Sequence, residues 1–487
     1  MSIDWQEVEL REAQASRRPW WRRWLRRAVT ALVLAVVGFG SYFAYRHYHA
    51  VAEIEEAVAA LDRDEPGWRL QQIEARRARI PDGENSALLV IESARLRPRG
   101  WPSKELTERF DQVTAPEQLD PATFALLSKD LDGAQPALAE ARKLATRPNG
   151  RHPITFPRNV QATLLPTQQD ARMAALLLSY DAQRQAQAGD MKQALASCRA
   201  ALNAGRSVGD EPLLISQLIR MACVALACQT AERVLSQGEP PADELLALQR
   251  LLQHEAAFPA LFFATRGERA MMHEMLDALE SGDVPLSQVL GEDREAVAAR
   301  RLFPGWYLRD KLRADHPHAL ALMTRRVAET RLPAHEQAAA EQAFVAEARG
   351  LPPTEALATR LLMPALEKMG VAERRRLANV RCMIAAVAAE RYRQEHGAWP
   401  ESLDRLTPTL LTAVPPDPFD GRPLRYRRTE DGVMVYSVGE DGKDDGGKLR
   451  RVEFTPAPDV GWRLWDVKHR RRPPRPKEKA PEQGAAP

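Results

Sequence analysis

The residues with the clearest capacity for chemistry form an acidic, glycine-rich loop near the C-terminus. Asp441, Asp444 and Asp445 lie within five residues of one another in the segment GEDGKDDGG. Calcium takes about six to eight oxygen ligands in a flexible geometry, so clustered carboxylates on a pliable backbone suit it better than they suit magnesium or zinc. The alternative is a solvated turn, because turns also favour Asp and Gly. An EF-hand is excluded, since Lys443 replaces the third-position ligand and no glutamate closes the loop.

Three other patterns contain residues that could act in catalysis or metal binding. The segment 205–209, GRSVG, fits the nucleophile elbow of serine hydrolases, but that chemistry needs a preceding strand, whereas helical spacing precedes Gly205. We therefore interpret Gly205 as a helix C-cap and the motif as a capping turn. The segment 273–277, HEMLD, departs from a zincin H-E-x-x-H and predicts a solvated helix face. His316-Pro317-His318 predicts a surface loop.

Composition limits the remaining possibilities. The chain has 487 residues, 44% of them hydrophobic and 28% charged, which is typical of globular protein and long enough for two or three folded units. The net charge of +3 gives no global indication of a nucleic-acid partner. Four cysteines are too few for a disulfide framework. Cys223 and Cys228 point to different faces of a helix, so we expect free cysteines in the core.

An apolar stretch near the N-terminus predicts a membrane anchor. Residues 28–45, AVTALVLAVVGFGSYFAY, carry no charge over 18 positions, which as a helix spans about 27 Å and matches the hydrocarbon thickness. The preceding RRPWWRRWLRR combines arginine with tryptophan, and dense arginine marks the cytoplasmic side of a membrane. We expect residues 1–27 to be a cytoplasmic basic tail, and the chain after 45 to lie outside the cytoplasm.

A cleaved signal peptide is the alternative to an anchor. Ala50-Val51-Ala52 forms an A-x-A pattern of the kind that precedes cleavage. However, the apolar run exceeds the usual signal length, the segment before it is long and contains acids, and Arg46, His47 and Tyr48 crowd the cleavage region. The anchor is therefore the preferred interpretation. No second span is expected, because the next most apolar run, 213–227, reads as an amphipathic core helix with these residues on its apolar face: Leu214, Leu218, Ala222 and Ala225.

The long middle of the chain, 46–370, predicts an extracytoplasmic α-helical domain. Its Ala-, Leu-, Arg- and Glu-rich segments show apolar spacing near 3.6 and are separated by clustered Gly and Pro. Around Gly189-Asp190, two helical segments are lined with small residues, which resembles one tetratricopeptide unit. The 34-residue period does not continue. A loose stack of α-hairpins is predicted, with an irregular helical bundle as the alternative.

The character changes again at 371–467, where a helix ending near Gly397 is followed by turns and strand-like runs. Tyr392 and Trp399-Pro400, then the segments 415–426 and 436–447 with their Asp417-Pro418-Phe419 and Gly-rich turns, resemble the globular part of major pseudopilins of type II secretion systems. The resemblance covers about a fifth of the chain. It implies a small α+β domain, so the fold class expected for the whole chain is mainly α with this α+β cap.

The resemblance also implies calcium in the acidic loop. Major pseudopilins hold the ion there, and Asp459 occupies roughly the place of a later acidic ligand, which gives Asp441, Asp444, Asp445 and Asp459 as the expected set. The chain departs from a pseudopilin elsewhere. Its apolar helix lies more than 300 residues upstream of this domain, and residues 37–40, VGFG, lack the glutamate of a prepilin processing site. Prepilin processing and pilus assembly are therefore not carried over.

The last segment, 468–487, is basic and rich in proline, with no apolar face to bury, and predicts a disordered tail. Together these features favour a single-pass protein of the bacterial inner membrane. The expected role is a non-enzymatic scaffold or protein-interaction module with protein partners in the cell envelope. The alternatives are an accessory component of a type II secretion-like apparatus, and an envelope hydrolase whose catalytic site is not recognisable from sequence.

Overall fold

The first helix, α1, is much longer than the predicted membrane span. The computed structural model describes residues 20–110, 113–157, 165–289, 304–350, 357–449 and 458–474, with the single residues 160 and 163. In it α1 runs from Trp20 to Asp64, and none of its most apolar 18-residue window is buried. The N-terminal half of α1, which contains this window, is long and apolar enough to cross a bilayer. The second half packs against the body of the protein through Ala50 and Leu61.

Helices make up most of the remaining described residues. Several predicted breaks fall between helices, at 65–67, 97–100, 189–190 and 238–241, and further breaks that the sequence did not indicate separate other helices. In chain order they are α2 (Leu70–Arg76), α3 (Ser86–Leu96), α4 (Lys104–Phe110), α5 (Pro121–Gly133), α6 (Gln135–Arg142), α7 (Gln168–Ala188), α8 (Met191–Arg206), α9 (Leu214–Leu235), α10 (Ala242–Ala256), α11 (Ala260–Ser281), α12 (Leu286–Val289), α13 (Gly305–Glu329), α14 (Ala334–Gly350) and α15 (Leu357–His396).

Helices α7 and α8 form the hairpin expected around Gly189-Asp190. Gly189 ends α7 with a φ of +88°, a left-handed conformation that glycine adopts without strain. Asp190 begins α8 by accepting a hydrogen bond from the Gln193 N–H at 3.0 Å. Ala182, Ala194 and Cys198 are fully buried in this hairpin, so small residues do let the two helices approach closely.

Helix α9 is a core helix, but its predicted apolar face is wrong. The residues expected to be inward are not buried: Leu214, Leu218 and Ala225 are half-buried, and Ala222 is exposed. The opposite face is buried and includes Gln217 and Arg220. Polar side chains can occupy the core here because each has partners. Gln217 donates to the Glu211 carbonyl at 2.9 Å, and Arg220 pairs with Glu255.

The only sheet in the described residues is a three-stranded antiparallel meander, with β1 (Arg425–Thr429), β2 (Gly432–Ser437) and β3 (Val460–Trp465) in spatial order β1-β2-β3. Its central strand, GVMVYS, is buried throughout and is rich in β-branched and aromatic residues. Helix α15 packs on the sheet, and the Trp462 indole N–H donates to the Asn379 carbonyl at 2.7 Å. The chain is thus mainly helical with a small antiparallel sheet.

The predicted boundary between 370 and 371 falls inside α15, and no gap in the core marks it. Residues 382–390 of α15 are all buried, because the sheet covers one side of the helix while α9 and α10 cover another. One hydrophobic cluster runs from Val90 to Leu464 and includes residues of both predicted domains. The small side chains in this part of α15 allow both layers to approach it. Fusion into one core is a property of the tertiary packing that local patterns did not indicate.

The predicted disordered tail starts too early. Residues 468–474 are packed against the helical body, and the Arg472 N–H donates to the Pro116 carbonyl at 2.7 Å. Arg470 is buried and donates to Glu390 at 2.8 Å and to the Gly238 carbonyl at 2.6 Å. Arg471 donates to the Ala186 carbonyl at 3.0 Å. The segment orders without an apolar face because its guanidinium groups satisfy buried carbonyls and a buried carboxylate. The rest of the predicted tail, 475–487, lies outside the described residues.

Candidate functional site

The acidic loop leaves the end of β2 and returns at the start of β3. Asp441 and Asp444 are exposed, and each accepts a backbone hydrogen bond two residues ahead, Asp441 from the Lys443 N–H and Asp444 from the Gly446 N–H. Asp444 also accepts from the Tyr436 hydroxyl at 3.0 Å. Burial and this bond to Asp444 raise the pKa of Tyr436 to about 12. The turn chemistry expected of Asp is therefore present, and Tyr436 ties the loop to the sheet.

Asp459 closes the loop from the other side. Its Oδ2 accepts hydrogen bonds from the Gly447 N–H at 2.8 Å and from the Lys448 N–H at 3.1 Å. From the described residues, its Oδ1 receives one long contact, 3.5 Å, from the Asp445 N–H. Asp459 is 1% exposed, and burial raises the pKa of its carboxyl group despite these bonds. Asp459 is thus hydrogen bonded to the loop backbone, and its expected role as a calcium ligand stays a prediction.

The ligand atoms available in this loop suit calcium, but the described side chains are not arranged around a common position. The four carboxylates are hard oxygen ligands, and glycines at 442, 446 and 447 have positive φ values that let the backbone curve. Yet within the described ranges no three His, Cys, Asp or Glu side chains gather closely enough to hold a metal ion. Residues 450–457, which complete the loop, lie outside the described residues. Calcium binding at Asp441, Asp444, Asp445 and Asp459 stays a prediction.

A fully satisfied carboxylate holds the start of this loop in place. Asp417, buried in the turn before β1, accepts from the Ser437 hydroxyl at 2.7 Å and the Val438 N–H at 2.9 Å at the end of β2. It also accepts from the Phe419 N–H at 2.9 Å and from Arg425 at 2.7 Å. The hydrogen bonds of Asp417, in the Asp-Pro-Phe segment noted in the sequence, therefore fix the position where the acidic loop begins.

The GRSVG motif is a helix end, although it is Ser207 and not Gly205 that caps α8. A Cβ at Gly205 would lie 2.6 Å from the Cβ of Cys223, so this glycine permits close packing of α8 on α9. Ser207 lies next to His152, with the Nε2–Oγ distance at 3.1 Å, and both residues are fully buried. The sequence did not indicate this pair, because 55 residues separate its members.

The chemistry of the Ser207–His152 pair is that of a structural link. The Ser207 hydroxyl donates to the Ala204 carbonyl at 2.6 Å, so it can only accept from His152. The imidazole therefore carries its proton on Nε2 and accepts from Thr167 at Nδ1, which is the reverse of what a general base needs. Burial lowers the pKa of His152 to about 4, which further weakens it as a base.

A second buried group beside this pair has an altered proton affinity. Glu211 is fully buried, and burial raises its pKa to about 7, although Arg77 and Gln168 oppose the shift. The Gln168 amide donates to the Glu211 carboxylate at 3.3 Å. Sequence reasoning missed this site, since Arg77, Gln168 and Glu211 meet only through tertiary packing.

The predictions for the other histidines were wrong. His316 is buried within α13, which continues through Pro317, and it is not in a surface loop. Its Nδ1 donates to Glu280 at 2.8 Å, and its Nε2 lies 2.9 Å from Nδ1 of His273. His273 is therefore half-buried between α11 and α13 and not on a solvated face. Burial and the neighbouring His316 lower the pKa of His273 to about 4. Packing of α13 on α11 outweighs the local turn preference of His-Pro-His.

All four cysteines are buried and free, as expected. Burial raises the pKa of Cys223 and of Cys228 to about 12, so these thiols are unreactive in the folded protein.

Comparisons of the chain with protein-family models, with curated proteins and with solved structures give no match.

Proposed function

We propose that this chain is a single-pass protein of the bacterial inner (cytoplasmic) membrane, with its N-terminus in the cytoplasm and the residues after 45 on the non-cytoplasmic side. One observation carries the proposal: no residue in the apolar window of α1 is buried, whereas the continuation of the helix to Asp64 is packed into the body. An unburied apolar helix of this length needs a bilayer to cover it. The arginines before residue 28 favour the cytoplasm and set the orientation.

The proposed role of the body is that of a non-enzymatic scaffold for proteins of the cell envelope. The proposal is supported by the continuity of α1, which runs without a break from the anchor into a body with a shared core. The anchor therefore fixes the position of the body and of its surface. Outside α1, large exposed hydrophobic side chains of the described residues are scattered singly: Leu88, Ile215, Trp306, Leu332 and Val467. Partner contacts on this surface would therefore be largely polar.

The second candidate is an accessory role in a type II secretion-like apparatus. It is favoured by the packing of the long helix α15 on an antiparallel sheet, together with the Asp417 turn and the acidic loop that carried the resemblance. A photo-crosslinking residue at the exposed Lys443 tests it in cells, with the exposed Glu401 as the control position. Capture of pseudopilins from 443 and not from 401 would support this role, and equal capture from both would remove it.

The topology itself is tested by reporter fusions to the full chain. We expect an alkaline phosphatase that folds only outside the cytoplasm to be active when fused after Pro487 and inactive when fused before residue 20. The opposite pattern would overturn the proposal. Activity of both fusions would also contradict it, because a single span cannot place both ends outside.

A further inference from the structure

Helix α13 begins beside the end of the predicted membrane span. The Trp306 ring lies 5.4 Å, centroid to centroid, from the ring of Phe43 in an edge-on arrangement. Phe43 is two residues before the end of the 28–45 span, which places it about 3 Å inside the hydrocarbon edge at the helical rise. The first turn of α13 is thereby held at the level where acyl chains meet lipid headgroups.

Polar contacts beyond Trp306 fix the direction of α13. Arg46 lies 3.9 Å from Asp310, and the Arg313 guanidinium lies 2.7 Å from Nδ1 of His47. The pairs advance together along both helices, so α13 runs parallel to α1 and away from the bilayer. Its far end, Glu329, is 23 residues beyond Trp306 and is then about 32 Å from the hydrocarbon edge at the helical rise.

The side chains at this end of α13 suit an interface between water and lipid. Trp306 is 55% exposed although it is large and aromatic, and Tyr307 follows it. Lys311 lies over the Tyr307 ring at 5.7 Å, one turn further from the bilayer. Indole and phenol rings favour the interfacial zone of a membrane, and a cation just beyond them can pair with lipid phosphate.

We propose that the amino end of α13, residues 304–311, is a second membrane contact, with Trp306 inserted among the lipid headgroups of the bilayer that α1 crosses. This inference rests on the proposed anchoring by α1. It adds that the body is seated on the membrane surface at α13 and does not hang from the anchor by a free hinge. The occupant of the space around the exposed Trp306 ring is lipid, because continuity with α1 brings the bilayer to it.

The test places a fluorophore at position 306. The native cysteines are buried, so an NBD group attached to W306C labels one site, and unmodified protein exposed to the dye measures the background. The full chain is reconstituted into vesicles of phosphatidylcholine and phosphatidylglycerol that contain lipids with a doxyl quencher near the headgroup. L332C, at an exposed position three residues after the end of α13, is the matched control.

We expect a blue-shifted emission and strong doxyl quenching at 306, and a water-like emission without quenching at 332. Equal, water-like behaviour at both sites in protein that floats with the vesicles would overturn the second contact while leaving the anchor intact. Failure to float with vesicles would overturn both. If W306C does not fold, P304C tests the same claim, because Pro304 is exposed and its backbone angles (φ −59°, ψ 145°) suit other residues.

Discussion

Glu255 joins the two parts of the chain that the sequence had separated, so its removal is the most informative single change. It lies fully buried at the end of α10. It accepts from Arg220 of α9 at 2.5 and 3.0 Å and from Arg376 of α15 at 3.1 Å. Burial disfavours its charge, but Arg220 and Arg376 outweigh that effect and hold the pKa of Glu255 below its usual value.

The size of the effect follows from which partners lose their counterion. Removal of one member of a buried ion pair costs about 3–5 kcal/mol, because the other charge stays buried and unpaired. Arg376 keeps Glu373 at 2.7 Å, so the cost of Glu255→Ala falls mainly on Arg220. We expect the free energy of unfolding to decrease by about 3–5 kcal/mol, which lowers Tm by about 3–5 °C at an unfolding entropy near 2 cal/mol/K per residue.

The assay is differential scanning calorimetry of the full chain in detergent, with Glu401→Ala as the control. Glu401 pairs with Arg405 at the surface, with side chains 77% and 64% exposed, so its loss should cost less than about 1 kcal/mol. The shared core also predicts that Glu255→Ala shifts one common transition. An unchanged Tm, or a transition that splits so that only the α15–sheet part moves, would refute the reasoning.

Four further predictions follow, one on the C-terminal segment, one on the acidic loop and two on pH. Arg470→Ala should cost about 3 kcal/mol and make residues 468–474 sensitive to trypsin, since a buried carboxylate loses a partner; unchanged digestion would contradict the packing. If the loop binds calcium, a concentration of 100 Kd should stabilise the full chain by about 2.7 kcal/mol relative to EGTA, and Asp444→Asn should reduce this gain; equal Tm values would exclude the site. The pKa of His152 is about 4 in the folded protein and 6.5 otherwise, so the unfolded state binds the proton first as the pH falls. The free energy of unfolding should therefore decrease below pH 6.5, by about 2 kcal/mol at pH 5. In urea titrations, His152→Gln should flatten this pH dependence. The pKa of Glu211, about 7 against 4.5, has the opposite sign, so stability should fall as pH rises from about 4.5 to 7, and a Glu211→Gln variant with the same slope would contradict it.

Local features of the fold were predictable from sequence where the signal and its cause lie in the same segment. The apolar half of α1, the Gly189-Asp190 hairpin and the buried cysteines are of this kind, because length, a left-handed glycine or residue size decides each of them. The strand at 432–437 likewise follows from its β-branched and aromatic residues.

Most of the features that sequence reasoning missed depend on partners distant in the chain. Arg470 is ordered by Glu390, 80 residues earlier, and nothing in a basic, proline-rich segment indicates that carboxylate. The buried face of α9 carries Arg220 because Glu255, 35 residues on, neutralises it. His316 is drawn into the core by Glu280 and His273 in the same way. Hydropathy treats these residues as surface, whereas pairing makes them core.

For the candidate site, the sequence names the carboxylates but not their contacts. Asp459 accepts from the Gly447 and Lys448 backbone N–H groups, and its role as a calcium ligand stays a prediction. The turn at Asp417 is visible in the sequence. Its role in fixing the start of the loop is not, because that role depends on the contact between Asp417 and Ser437. At the Ser207–His152 pair, the hydrolase-like motif does lie next to a histidine in the structure. The proton arrangement is still wrong for a nucleophile, because Ser207 donates to the Ala204 carbonyl and not to His152.

The central claim, an uncleaved anchor with the body outside the cytoplasm, is tested most directly by protease protection. Spheroplasts that carry one epitope tag at each end of the chain are digested with an added protease. The account predicts that the C-terminal tag disappears while the N-terminal tag survives on a small membrane-bound fragment that contains residues 1–45. A protected C-terminal tag, or an N-terminal tag already missing from the full-length protein before digestion, would contradict it.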